Sequence, residues 1–577
     1  MRFHVLATDY DGTIAHYGKV DDDTVAALRR ARESGRKLVM VTGRELPELM
    51  EIFPHTDLFE RIIFENGAAV YDPATKEVRV LAEGPPPAFV EELKRRQVWP
   101  LSAGRVIVAT FQPHQDVVFR VIQEMGLELQ VIFNKDAVMV LPSGVNKATG
   151  LTATLTEMGL SVHNTVGVGD AENDHAFLAC CECGAAVDNA LPAVKERADW
   201  VASRDHGAGV AQLIELLVAD DLRSIGELTR HRILVGKTDD ETDVGINPAS
   251  RGMMICGTSG SGKSTLTTAI LERLADAGYQ FVIIDPEGDY TNLEFATILG
   301  TPTRAPVEEE VVNALKDPVK SVVVNLLGIP LGDRPAYFDR LLPKLLELRK
   351  RTGRPHWIVV DEAHHLMPAE RESGDLSILL PNSGLMGITV HPGSVDPAAL
   401  ARFESLIAIG ERPDQTVRKF CKAIGEKGPG ACPDVPKLPT GDAILWHRGQ
   451  SEAVLLHTIP PRTERKRHSR KYAEGNLGPE RSFYFRGPEE KLNLKAPNLF
   501  QFLQLADGID DDTWQHHLKS GDYSRWLREQ VKDPELADDV AEVEATDSSA
   551  CDTRAAIRAA VEKRYTLPID EASGKQD

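Results

Sequence analysis

Two clusters in this 577-residue chain have the residue types and spacing of phosphate chemistry. The first is Asp9-Tyr10-Asp11-Gly12-Thr13, directly after the apolar run Phe3 to Ala7. Two carboxylates two positions apart at a strand end can converge on one metal ion and one phosphorus atom. One can attack as a nucleophile while the other handles the leaving-group proton. Thr42-Gly43-Arg44 closes a second apolar strand with a hydroxyl and backbone N–H groups suited to phosphate oxygens. Lys147 supplies a cation for charge developing on a phosphoryl group. Asp170 ends the apolar run Thr165 to Gly169, with Glu172, Asn173 and Asp174 just beyond, and can complete an oxygen-rich Mg2+ shell.

The second cluster is Gly257-Thr258-Ser259-Gly260-Ser261-Gly262-Lys263-Ser264-Thr265, between the apolar run Met253 to Cys256 and a helical Leu266 to Leu271. A glycine-rich turn between strand and helix points successive N–H groups at a phosphate. Lys263 then reaches the β- and γ-phosphates of a nucleoside triphosphate, and the Ser264 hydroxyl can sit on Mg2+. The run Trp357 to Val360 ends in Asp361, placed to help hold Mg2+, and Glu362, placed to polarise an attacking water. His391, after Gly387 to Val390, can put a polar sensor near the γ-phosphate.

These residues need strands that end together and helices that start beside them, so an α/β chain of several domains is expected. The boundaries fall at 1–220 for the first site (core 1–85 and 142–220, an inserted cap 86–141) and 228–458 for the second. A basic linker follows at 459–477, then a small mostly helical domain at 478–565 and a disordered tail at 566–577. Within the cap the pattern predicts helices Ala88 to Arg96 and Gln115 to Met125, and strands Gly104 to Thr110, Glu128 to Phe133 and Ala137 to Leu141.

In their order, the first four segments resemble the four motifs of the haloacid dehalogenase superfamily, and the cap is similar to that of its Cof-type (IIB) branch, which includes sugar-phosphate phosphatases. The resemblance implies a Rossmann-like core in which Asp9 is the nucleophile, forming an aspartyl-phosphate, and Asp11 the general acid/base. It implies Thr42, Gly43 and Lys147 as phosphate binders. Asp9, the Asp11 main-chain carbonyl and Asp170 would hold Mg2+, supported by Asp174 and Asn173. Glu65-Asn66-Gly67-Ala68 resembles the same branch's substrate-facing loop.

Asp285-Pro286-Glu287-Gly288-Asp289-Tyr290 after one strand and Asp361-Glu362-Ala363-His364 after another resemble the HerA/FtsK class of RecA-like P-loop ATPases. That resemblance implies ATP hydrolysis, a homo-oligomeric ring and an arginine supplied by a neighbouring subunit, for which Arg402 and Arg412 are available. His391 stands where the class usually has glutamine. The phosphatase segment occupies the space of the small β-barrel that many relatives carry, which bears on translocation rather than on nucleotide binding.

A formal net charge of −21 argues against a surface built broadly for nucleic acid, although a local basic channel remains compatible. The only strongly basic run, Arg462 to Lys471, reads as a solvated linker. Seven cysteines point to reduced thiols, with Cys180, Cys181 and Cys183 as buried small residues. No apolar run is long enough to cross a bilayer and the first residues lack a signal-peptide core, so a cytoplasmic location is expected. The functional expectation is a phosphomonoester hydrolase acting on a phosphorylated small molecule and coupled to an ATPase. The alternatives are a nucleic-acid end-processing phosphatase/kinase, or a nucleotide-gated scaffold that controls the phosphatase.

Overall fold

The computed structural model describes residues 1–134, 136–248, 252–369, 384–462, 477, 481–531 and 533–564. The chain divides into two units, Met1–Pro460 and Pro461–Asp577.

The first sheet of the larger unit begins with β1 (Val5–Thr8), β2 (Lys37–Val41) and β3 (Arg61–Phe64), extended by the hairpin β4 (Ala69–Asp72) and β5 (Glu77–Val80). An insertion supplies a separate four-stranded sheet of β6 (Ser102–Ala103), β7 (Val108–Phe111), β8 (Leu129–Asn134) and β9 (Ala137–Pro142), ordered 6-7-9-8. The chain then returns through β10 (Thr165–Gly169), β11 (Cys183–Ala186) and β12 (Trp200–Val201), giving the order 12-11-10-1-2-3-4-5. From β12 to β3 every pairing is parallel. Strands covered by helices on both faces are apolar without alternation, as Val-Leu-Ala in β1 and Leu-Val-Met-Val in β2 are, and they are fully buried.

In the insertion, the helices Pro87–Arg95 and Gln115–Glu124 pack Phe89, Leu93, Val118 and Val121 on Val108 and Val140 of the small sheet. The strand expected over Gly104 to Thr110 starts only at Val108. The N–H groups of Arg105, Val106 and Ile107 are taken by a side chain of the core, Glu65, and so leave the ladder.

The second sheet has eleven strands among the described residues: β13 (Ile233–Lys237), β14 (Asp243–Ile246), β15 (Gly252–Gly257), β16 (Phe281–Asp285), β17 (Ala296–Leu299), β18 (Ser321–Asn325), β19 (Trp357–Val360), β20 (Leu385–Thr389), β21 (Ser405–Ile409), β22 (Asp442–His447) and β23 (Val454–Thr458). Its order is 14-13-23-22-21-15-20-19-16-18-17. The seven strands from β21 to β17 are parallel, and the four on the other side of β21 are antiparallel. The C-terminal ends of β15, β16, β19 and β20 therefore share one edge, where a doubly wound sheet carries its ligand.

The two sheets are joined at the ends away from these edges. His163 and Asn164 precede β10, and Glu182 precedes β11. Opposite them lie Tyr279, before β16, and Gly353 and His356, before β19. Cys181 and Cys183 are buried and Cys180 half-buried beside this joint, all as free thiols.

The smaller unit pairs β24 (Phe483–Phe485) with β25 (Leu494–Ala496), followed by helices from Leu499 to Arg564. Its core is aromatic: Phe483, Phe485, Phe502, Trp514, Tyr523 and Trp526 are all buried. His517 is buried and bound to Asp522 (2.7 Å), whereas His516 is exposed. The linker residues 463–476 and the tail expected at 566–577 lie outside the described residues.

Candidate active sites

At the C-terminal ends of β1 and β10, Asp9, Asp170 and Asp174 bring carboxylate oxygens within 4.8 Å of one another. All three are buried. Lys147 Nζ donates to Asp9 Oδ1 and to Asp174 Oδ1, each at 2.5 Å. Thr13 Oγ1 lies 3.2 Å from both Asp9 Oδ2 and Asp170 Oδ1. Asp174 Oδ2 accepts the N–H groups of Asp170 (2.9 Å) and Ala171 (3.0 Å), so Asp174 braces the turn after β10. Gly12, at φ +83, lets the turn after β1 approach: a Cβ there would sit 2.3 Å from Asp170 Oδ2.

Burial pushes the Asp9 carboxyl up to about 8, against Lys147, with Asp174 and Asp170 adding to the rise. The three carboxyl groups offer oxygen donors around one point, with one lysine beside them. That donor set fits a hard divalent cation.

Of the other phosphatase residues expected from sequence, Thr42 is buried and its hydroxyl accepts the Arg44 N–H (3.1 Å). Gly43 faces Asn173 on the core and Met139 on the cap. Asn173 Nδ2 donates to Asn66 Oδ1 (3.1 Å). Asp11 stands apart from the acidic cluster. Arg44 grips its carboxylate, with Nε on Oδ2 (2.6 Å) and Nη2 on Oδ1 (2.7 Å). Glu65 is turned toward the cap backbone rather than into the acidic pocket. The Arg44–Asp11 pair has no signature in spacing. The arginine was visible beside Thr42, but its partner was not.

The second site lies at the end of β15. Gly257 ends that strand, Thr258–Gly260 are exposed, Ser261, Gly262, Ser264 and Thr265 are half-buried, and Lys263 opens the helix Lys263–Asp276. Lys263 is buried, with Nζ on the Thr258 carbonyl (3.1 Å). Ser264 Oγ donates to Asp289 Oδ2 (3.3 Å), and the Asp285 carboxylate accepts from the N–H groups of Asp289 and Tyr290. Burial, then Glu362, Asp285 and Asp289, push the Asp361 carboxyl far above its ordinary range. Asp285, Asp289, Asp361 and Glu362 thus act on one another at this edge. Asp285 and Asp289 were legible only as acids after a strand, and Asp289 is the one that meets Ser264.

Glu362 has φ +44, a left-handed conformation uncommon outside glycine. His364 Nδ1 lies 3.3 Å from Glu362 Oε2 and 3.1 Å from Thr389 Oγ1. Burial, with His365 and His391 beside it, lowers the His364 pKa to about 4, so the ring is neutral near pH 7. The Thr389 hydroxyl also accepts the His391 N–H (3.0 Å), and the His364 and His391 rings meet edge to face. Arg412 follows β21 on the P-loop edge, bound to Asp414 (3.4 Å). Arg402 precedes β21 and sits at the opposite edge.

Residues 6–95 and 114–214 match the family model of haloacid dehalogenase-like hydrolases. The first 214 residues therefore contain a haloacid dehalogenase-like hydrolase domain. Residues 225–331 match the model of the HerA helicase central domain, so a HerA-type ATPase domain follows the hydrolase. The chain is 29% identical over 217 residues to the phosphoglycolate phosphatase of Methanothermobacter thermautotrophicus, covering 36% of this chain and 96% of that one. It is 27% identical over 240 residues to the HMP-PP phosphatase of Escherichia coli, covering 33% and 86%. Among solved structures, a haloacid dehalogenase-like hydrolase from Bacteroides thetaiotaomicron aligns with a TM-score of 0.33 and 19% identity, over 37% of this chain and 99% of that one. The hydrolase domain is thus phosphatase-like, and the HerA-type domain carries the P-loop. Among the described residues no helix is long and apolar enough to cross a membrane.

Proposed function

We propose that the hydrolase domain is a Mg2+-dependent phosphomonoesterase that works through an aspartyl-phosphate on Asp9, and that the HerA-type domain hydrolyses ATP. The observation that carries the first part is the buried Asp9 carboxylate, held by Lys147 against two further carboxylates. Asp9 attacks phosphorus, the bond to the leaving oxygen breaks, and Asp11 gives that oxygen its proton. Water then attacks the same phosphorus, Asp11 takes its proton, and the bond to Asp9 breaks to release phosphate. For Asp11 to turn to the leaving oxygen its pair with Arg44 must open, and the substrate phosphate offers Arg44 a replacement anion. Asp9 and Asp170 are the residues that would hold Mg2+, which when bound supplies positive charge for the phosphoryl oxygens. Lys147 adds a fixed cation, and the Thr42 hydroxyl with neighbouring N–H groups orients the phosphate.

A small phosphorylated acid or sugar is the substrate class this supports best. The cap sheet lies directly over the catalytic loops, with Met139 against Gly43, and the relatives include phosphoglycolate phosphatases. In the HerA-type domain, Lys263 and Ser264 take the phosphates and metal, and Asp361 and Glu362 serve hydrolysis rather than transfer to a hydroxyl. Joined at the ends away from their sites, the two sheets do not support a hand-off of phosphate from one site to the other.

The test uses phosphate release from phosphoglycolate, sugar phosphates and nucleotides alongside ATP hydrolysis, on the full chain. Asp9→Asn abolishes the first and leaves the second; Lys263→Ala does the reverse. Loss of both activities in either folded variant sinks the two-site assignment.

A further inference from the structure

Glu65 is 1% exposed and stands at φ +49, followed by Asn66 at φ +56. Two consecutive non-glycine residues in the left-handed region are held there only where surrounding contacts over-determine them. The Glu65 N–H donates to the Arg44 carbonyl and the Asn66 N–H to the Thr42 carbonyl, each at 3.0 Å, which binds this loop to the phosphate-binding turn. Asn66 then holds Asn173 of the acidic loop. The Glu65 side chain leaves the core altogether. Its Oε1 accepts from Arg105 N (2.9 Å), and its Oε2 accepts from Val106 N (2.7 Å) and Ile107 N (2.9 Å).

Those three N–H groups belong to the cap. They lie in the stretch that fails to join β7, and Val106 and Ile107 are buried with Met139 and Leu141 of the cap against Ala68 of the core. Without the carboxylate, buried donors would face no acceptor; without the donors, a buried charge would have no partner. Among the described residues no lysine or arginine pairs with Glu65. The approach is close on the cap side too: a Cβ on Gly104 would lie 2.8 Å from the Glu65 carboxyl carbon.

We propose that Glu65 is the positioning residue that docks the cap on the core, its carboxylate clasped by the 105–107 backbone. This sets where Met139 and its strand sit over Gly43 and Asn173, and so how tightly the substrate is enclosed. The proposal rests on the hydrolase domain being a phosphatase only for its kinetic arm, because the docking itself is read without turnover.

The experiment uses the full chain with Glu65→Gln and, from the cap side, Gly104→Ala. Glu65→Gln keeps the size but replaces one acceptor oxygen by a donor that faces N–H groups. The Gly104 methyl pushes the carboxylate away. In each variant, hydrogen exchange at the amides of residues 105–107 rises at least tenfold over the native chain. Phosphatase kcat/KM falls at least tenfold, and ATP hydrolysis is unchanged. The double variant exchanges no faster than the worse single one, because both break the same contact. Unchanged exchange at 105–107 in both single variants, or additive effects in the double variant, overturns the proposal. If the native chain turns over no phosphomonoester, the functional assignment fails while exchange still decides the docking contact. A purely structural role for Glu65 would instead lower the stability of the whole hydrolase domain without raising exchange first at the cap loop.

Discussion

Lys147 shows how much one buried cation carries. Burial works against its charge, yet Asp174 and Asp9 outweigh that cost and hold the ammonium above its ordinary pKa. Removing it leaves Asp9, Asp170 and Asp174 crowded together without that ammonium. Breaking a buried pair from one side costs roughly 3–5 kcal/mol, and Lys147→Met is expected to lose about that much in urea unfolding at pH 7. Saturating Mg2+ restores part of the loss, because the cation replaces the missing charge. Phosphatase turnover falls at least ~100-fold, as expected when a donor to the phosphoryl charge is removed. A variant with native stability and native turnover would show that the contact is incidental.

At the scale of elements, the helix Lys147–Glu157 places that ammonium. Asn146 caps it: Oδ1 accepts the N–H groups of Ala148 (2.9 Å) and Thr149 (3.0 Å), and Thr149 Oγ1 accepts the Asn146 N–H (3.0 Å). The cap sets the first turn and so the direction of the lysine. Asn146→Ala is expected to cost about 1 kcal/mol of stability and to lower phosphatase turnover, with ATPase rates unchanged. A fall in both activities together would point to general unfolding instead. The order of strand, acid and glycine was legible in the chain because each catalytic group stands at the end of an apolar run. A parallel sheet forces such ends onto one edge. The partners of Glu65 were not legible. A run of Arg-Val-Ile-Val-Ala-Thr has every local mark of a strand, and only a carboxylate forty residues away in the chain takes its first amides out of the ladder. The grip of Arg44 on Asp11 and the contact of Asp289 with Ser264 escaped for the same reason. They are contacts between elements, set by packing rather than by spacing.

At the scale of the whole chain, the joint between hydrolase and HerA-type domains is the feature that makes one body of residues 1–460. Glu182 is its centre, 2% exposed. Its Oε1 accepts from Arg2, and its Oε2 accepts the Tyr279 hydroxyl (2.6 Å) and faces His163 Nδ1 (2.9 Å). His163 stacks on the Tyr279 ring at 3.7 Å and places Nε2 2.6 Å from the Ala277 carbonyl, at the C-terminus of the P-loop helix. His163, Glu182 and His231 approach closely enough for a metal ion. However, the Arg2 guanidinium and the Tyr279 hydroxyl already engage both carboxylate oxygens. Arg354, fully buried, adds hydrogen bonds to Gly159 of the hydrolase and to Gln280 and Leu315 of its own domain. Burial pushes the Glu182 carboxyl up, but His163, Arg2 and Tyr279 outweigh it and bring the value down to about 2, from an ordinary 4.5. A carboxyl whose native value is depressed gives its full stabilisation above the ordinary value and loses it as the pH falls toward the native one. The joint therefore weakens between about pH 4.5 and about 2. His4, kept neutral by burial with a pKa lowered to about 4 from 6.5, has its own loss at higher pH, between those two values. Glu182→Gln separates the two. At pH 7 it lowers the thermal midpoint of the transition shared by the two domains, with a loss of roughly 3–5 kcal/mol for a buried pair broken from one side. Below pH 4.5 its midpoint falls less steeply than the native one, while the His4 loss persists unchanged. Calorimetry of both chains from pH 7 to pH 3 measures this, and parallel curves at the acid end would remove Glu182 from the centre of the joint.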